Sequence, residues 1–181
     1  MHEFHPVKHF RTITRHRHKV IAHCRRAGIL WQGLRHDLSK YTPREFWLGA
    51  KYYQGSQSPN VAERLDRGYS EAWLHHKGRN RHHFEYWSDY DPKIRKVAPV
   101  KMPLRYVIEM FCDRVAASKI YKGAEYTDNC PLEYFQHGKA MRQIHPETSD
   151  FLEKLLKMLA EKGEDETFAY IRKYKKEHAD Y

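Results

Sequence analysis

Apolar residues recur at three- and four-residue intervals along most of this chain, and no segment alternates apolar with polar side chains in a convincing strand pattern. A repeat near 3.6 residues belongs to an α-helix with one face turned to a core. From Phe10 to Ala27 the inward positions are Ile13, Val20, Ile21 and Cys24, and Gly28 is placed to end the helix. Residues 29–40 form a short second segment with Leu30, Trp31, Leu34 and Leu38 apolar. Thr42-Pro43-Arg44-Glu45 has the form of a helix start, with Thr42 at N-cap, Pro43 at N1 and Glu45 at N3. The helix it opens is expected to reach about Gln54.

Gly55 to Asn60 is a loop by composition, and Asn60 to about His76 reads as helix with an interruption at Gly68. Lys77 to Asn80 is a turn, and Asp89 to Pro103, with Pro92, Pro99 and Pro103, an irregular connection. The strongest helix is Leu104 to Tyr121, with Val107, Ile108, Phe111, Val115 and Ala116 apolar. Pro131 to Met141 is a shorter one. Pro146 to Glu161 is amphipathic, Gly163 ends it, and Asp165 opens a last helix to about Glu177. The expected fold is an all-α helical bundle forming a single domain over 1–181. Its functional residues fall within about 9–121, and residues 146–178 supply C-terminal packing helices.

Composition narrows the partners. The chain has 181 residues, enough to bury about two-thirds of its unfolded surface. Its 14% aromatic content is too high for a disordered chain. The net charge of +10 favours anionic partners, either a phosphorylated small molecule or a nucleic acid. Three cysteines, Cys24, Cys112 and Cys130, form no CxxC pair, so a reduced, cytoplasmic protein is expected. No run approaches the roughly 20 apolar residues of a membrane span, and no membrane partner is expected.

Three groups of side chains carry chemistry. His36-Asp37 lies in Arg35-His36-Asp37-Leu38-Ser39-Lys40. His75, His76, His82 and His83 flank Gly78 and Asn80. Asp113 lies four residues after Glu109 in an apolar helix, where a buried carboxylate needs a cation, and Arg114 and Lys119 are candidates to neutralise the pair. Imidazole with carboxylate is the ligand chemistry of a catalytic divalent metal. Asp37 and Lys40 share a helix face, so the ammonium would stand beside the carboxylate, where it could reach a substrate phosphate. The first helix adds His16, His18 and His23.

An N-terminal helical His, then His-Asp, further His and a helical Asp resembles the HD-domain metal-dependent phosphohydrolases. His36-Asp37-Leu38-Ser39-Lys40 is similar to the His-Asp-x-Gly-Lys form of its cyclic-dinucleotide phosphodiesterase branch. Ser39 replaces the glycine, and that branch's Gly-Tyr-Pro segment is absent, which argues against a cyclic dinucleotide substrate. The resemblance implies an HD-like bundle holding one or two divalent transition metals (Mn, Fe, Co, Ni or Zn). It implies His16, His36, Asp37, His76, His83 and Asp113 as metal ligands, with His9 or His18 as alternative first ligands. It leaves open which of the four central histidines bind. Asp37, Lys40, His75 and His82 are the candidate catalytic groups, and Lys40, Arg79, Asn80 and Arg81 the candidate substrate contacts. Trp73, Tyr86 and Trp87 could stack a base.

Much of the chain also resembles a small bacterial and phage family known only as a domain of unknown function. That likeness rests on Tyr52-Tyr53-Gln54-Gly55, on Trp73 to Asn80, on Glu109 to Arg114 and on Ala160 to Asp165. The expected function is a phosphohydrolase acting on a phosphate ester, for instance a nucleotide, through metal-activated water. The alternatives are a di-iron oxygenase on the same scaffold, and a basic nucleic-acid-binding protein or nuclease.

Overall fold

In the computed structural model, residues 3–178 are described. Eight helices account for most of them: α1 (Pro6–Ala27), α2 (Leu30–Arg35), α3 (Pro43–Lys51), α4 (Pro59–Arg67), α5 (Glu71–Lys77), α6 (Leu104–Lys122), α7 (Cys130–His137) and α8 (Pro146–Glu177). The central element is α6, with Val107, Ile108, Phe111, Cys112, Val115 and Ala116 fully or nearly buried. It is packed between α1 and α8, and Val20, Cys24 and Ala27 of α1 meet Leu152, Leu155, Leu156 and Leu159 of α8 in one core.

The helix ends follow local chemistry. Gly28 adopts a left-handed φ of 74°, and the N–H groups of Gly28 and Ile29 return to the carbonyls of Arg25 and Cys24. Gly68, also left-handed, divides α4 from α5 at the expected point. Ser70 caps α5 by accepting from the Trp73 N–H. Gly163 takes φ 76° and ψ 179° inside α8, a conformation open only to glycine. It redirects the chain so that Phe168 and Ile171 return to the core.

Two expectations are corrected. Residues 88–99 are a two-stranded antiparallel hairpin, β1 (Ser88–Asp91) with β2 (Lys96–Pro99), in the register Tyr90↔Val97. Neither strand buries a face, so no alternation marks it in the sequence. The second correction is at α3. Thr42 does begin that helix, but its hydroxyl donates to the Ser39 carbonyl and accepts no capping N–H. Glu45 is turned elsewhere, into the site.

Candidate metal centre

His36 and Asp37 are not on a continuous helix. α2 ends at Arg35, His36 is extended (φ −54°, ψ 127°), and Asp37 is left-handed (φ 54°, ψ 24°). Left-handed backbone is uncommon outside glycine, and aspartate is among the residues that tolerate it best. The break lets two adjacent side chains turn into the same interior, which a regular helix would splay by about 100°. A 3-10 turn over Leu38–Tyr41 then brings the Lys40 Nζ to 2.7 Å from Asp37 Oδ2.

Ligand atoms converge from five segments. His16 of α1, His36, Asp37 and Asp113 of α6 form one group, and Asp37, His76 of α5, His82 and His83 form another. In each, one nitrogen or oxygen per residue lies within 4.8 Å of all the others. Asp37 belongs to both, and its two oxygens divide between them. Oδ1 is 3.2 Å from His76 Nε2 and 3.5 Å from His82 Nε2, and Oδ2 is 3.3 Å from His36 Nε2 and 3.9 Å from His16 Nε2. Asp113 Oδ1 is 2.9 Å from His16 Nε2 and 3.4 Å from His36 Nε2.

Within the second group His76 Nε2 and His83 Nε2 are hydrogen-bonded at 2.9 Å, but five other atoms are not satisfied in this way. His16 Nε2, His36 Nε2, His82 Nε2 and both Asp37 oxygens are buried and make no hydrogen bond of acceptable geometry. Buried polar groups are normally satisfied; Asp37 Oδ2 has the Lys40 ammonium beside it, and the other four atoms, aimed at shared points, call for a further partner. A cation is the partner that imidazole lone pairs and carboxylates have in common.

Two further carboxylates hold the rings. Glu109 Oε1 lies 3.0 Å from His36 Nδ1 and 3.2 Å from His82 Nδ1, and Oε2 accepts from the Gln32 amide at 3.0 Å. Glu45 lies 2.6 Å from His75 Nδ1 and 2.8 Å from His76 Nδ1. Carboxylates on Nδ1 fix the tautomer that leaves Nε2 free as a ligand. Sequence spacing pairs Glu109 with Asp113 and assigns it to Arg114 or Lys119; instead it serves histidines from both groups, and Lys119 pairs with Glu164. Glu45 reads in sequence as a helix-start residue, which hid its role.

Burial opposes charge here, and neighbouring charges overcome it. Burial pushes the Asp37 carboxyl up, but His36, Lys40 and His76 together hold it well below the carboxylate range. Burial likewise opposes ionised Glu109, yet the His36 and His82 rings bring it to about 2. Desolvation keeps His16 and His83 below the ordinary imidazole value, in the neutral form that binds metal. Burial also works against His36 and His76, but Asp37 raises both.

The remaining candidates lie around this centre. His75 is held by Glu45 and is outside both groups. His9 packs against Gly49 and Phe46, and His18 is exposed; neither joins a group. Asn80 is buried, and its amide donates to Ser39 Oγ and the His76 carbonyl, both at 2.8 Å, so it braces the loop. Arg79 bonds the His75 carbonyl and Arg81 the Tyr106 hydroxyl, both at exposed positions. Trp73 packs edge-on to His83 with ring centres 4.7 Å apart, while Trp87 packs edge-on to Tyr86 and tilted against Tyr106. Side-chain exposure is 31% at Lys40 and 18% at Asp113, against 0–7% at His36, His82 and Glu109. The centre therefore opens on the Lys40 and Asp113 side, with Glu109 at its floor.

A family model described as "Family of unknown function (DUF5662)" matches residues 5–158. The match spans most of the chain, which belongs to that family. No curated protein and no solved structure matches it.

Proposed function

We propose that this member of the DUF5662 family is a metal-dependent phosphohydrolase whose reaction centre is built around Asp37. One observation carries the reading: two groups of His and Asp ligand atoms, five of them buried and without a hydrogen bond, share the single carboxylate of Asp37. A carboxylate with one oxygen turned to each group can join two ions. The mixed His and Asp donors suit a divalent transition metal better than Mg or Ca, which favour all-oxygen sites.

Metal held there would supply hydroxide near neutral pH and stabilise charge on a phosphoryl group. The chain's own residues complete the setting. Lys40, beside Asp37 and partly open to solvent, keeps its proton because Asp37 and Asp113 outweigh the burial that would remove it. It is placed to offset negative charge arriving at the mouth of the centre. Glu109 and Glu45 hold three ligand rings in one orientation. The excess of positive charge on the chain favours an anionic substrate.

The test is metal content by elemental analysis, with hydrolysis of aryl phosphate mono- and diesters and of nucleotides. Purified protein should hold one or two transition-metal ions per chain. Asp37→Ala should lose nearly all of both metal and activity, since it removes a donor from each group. Asp113→Ala should lose metal from the first group only. A wild-type protein without metal and without esterase activity would sink the reading. Oxygen uptake with a ferrous-to-ferric absorption change would replace it by the di-iron oxygenase alternative.

A further inference from the structure

The first helix has two faces with different chemistry. His9, Ile13, His16, Val20, His23, Cys24 and Ala27 are buried on one of them. Lys8, Arg11, Arg15, His18 and Arg25 are exposed on the other. At 100° per residue these exposed positions fall in one stripe, on the side of the helix away from the buried residues. The stripe runs about 26 Å along the helix.

Its charge is not compensated. α1 holds seven of the chain's 33 Lys and Arg residues and none of its 23 Asp and Glu, so most of the net +10 sits on this helix. Arg17 donates to the Leu34 and His36 carbonyls, and Arg26 pairs with Glu164 and Asp165. Among the described residues, the side chains of Lys8, Arg11, Arg15 and Arg25 make no hydrogen bond or ion pair.

The stripe also works against its own helix. Lys8 lies in the first turn, where the helix dipole favours an acid, and no acid is present there. Arg11 and Arg15, and Arg15 and Lys19, are like charges four apart, a destabilising arrangement. Local choices that oppose the fold mark places where function is being served.

We infer that the outer face of α1 docks the phosphate backbone of a nucleic acid. The stripe runs beside roughly eight phosphates of one duplex strand, spaced about 3.4 Å along the axis. A membrane-surface helix needs an apolar face free to enter lipid. The apolar face of α1 is occupied by the core, leaving only Phe4, Val7 and Phe10 exposed at its N-terminal end. This docking does not rest on the metal reading, because the stripe and the ligands lie on opposite faces.

The experiment is fluorescence anisotropy with the full chain and labelled single-stranded and duplex DNA and RNA of about 20 nucleotides, across a salt series. With four backbone contacts, raising salt from about 50 to about 200 mM should weaken binding on the order of a hundredfold. Arg11→Glu/Arg15→Glu should lower affinity at least tenfold and flatten the salt slope by about two contacts. Its melting temperature should hold or rise, because Arg15→Glu puts a carboxylate four residues before Lys19. Asp37→Ala should bind nucleic acid as the wild type does, even where it has lost metal. The inference is overturned if the wild type binds none of these probes at low salt, if the double variant binds equally well, or if only vesicles with anionic headgroups are bound.

Discussion

Asp37 combines a left-handed backbone with a buried carboxylate that faces four histidines and a lysine. At this scale Glu109 and Glu45 make unlike predictions. Glu109 touches His36 and His82, one from each ligand group, whereas Glu45 touches His76 of the second group only, together with the non-ligand His75. Loss of a carboxylate behind a ligating histidine typically weakens metal binding by about 10–100-fold. Titration of stripped protein with Zn or Mn, followed calorimetrically, should show Glu109→Gln weakening both binding events. Glu45→Gln should weaken one. Equal effects of the two variants would mean that Glu109 does not serve both groups. The histidines and Asp113 were legible from residue type and order. These two glutamates were not, because an acid near a helix start or beside basic residues has commoner local uses.

Among the elements, α2 decides how accurately the His-Asp pair is presented. Gly33 lies so close to α1 that a Cβ there would stand 2.6 Å from the Cys24 Cβ. Gly33→Ala should cost about 1–3 kcal/mol as the helices part, read as a lower urea midpoint. Because His36 follows within one turn, the same variant should also bind metal more weakly; unchanged stability would show that α2 can shift freely. Gly163 acts at a distance. Its turn delivers Glu164 to Arg26 and Lys119, tying the last part of α8 to α1 and α6. Helix boundaries at Gly28, Gly68 and Gly163 could be read from sequence, since each needs a backbone that other residues avoid. The hairpin could not, since its four-residue strands lie on the surface and carry no burial pattern.

For the whole molecule, stability and metal should be linked through protons. Asp37 raises the folded-state values of His36 and His76 above the ordinary imidazole value. In metal-free protein they therefore contribute stability that is fully present below the unfolded value near 6.5 and lost as pH rises through the raised values. Metal needs the same rings unprotonated, so it must displace those protons. Added Zn or Mn should raise the melting temperature, by about 2.7 kcal/mol of stability at a hundredfold excess over Kd. That gain should shrink as pH falls from 8 to 6, and calorimetry in buffers of different ionisation enthalpy should show proton release. A metal-induced shift independent of pH would mean that the ligands are already neutral.

Sequence by itself determined the helical class, most helix limits and the pool of His and Asp residues from which a metal site could be drawn. These depend on periodicity, on glycine and proline backbone, and on side-chain chemistry, all local properties. Only the tertiary structure decided which histidines converge. His16 and Asp113 are nearly a hundred positions apart, and His75 and His76 are adjacent yet differ in role, because α5 turns one ring to Asp37 and leaves the other with Glu45. It also decided that Asp37 leaves the helix it seemed to occupy. Convergence is set by how α1, α3, α5 and α6 pack, and no spacing along one segment contains that information.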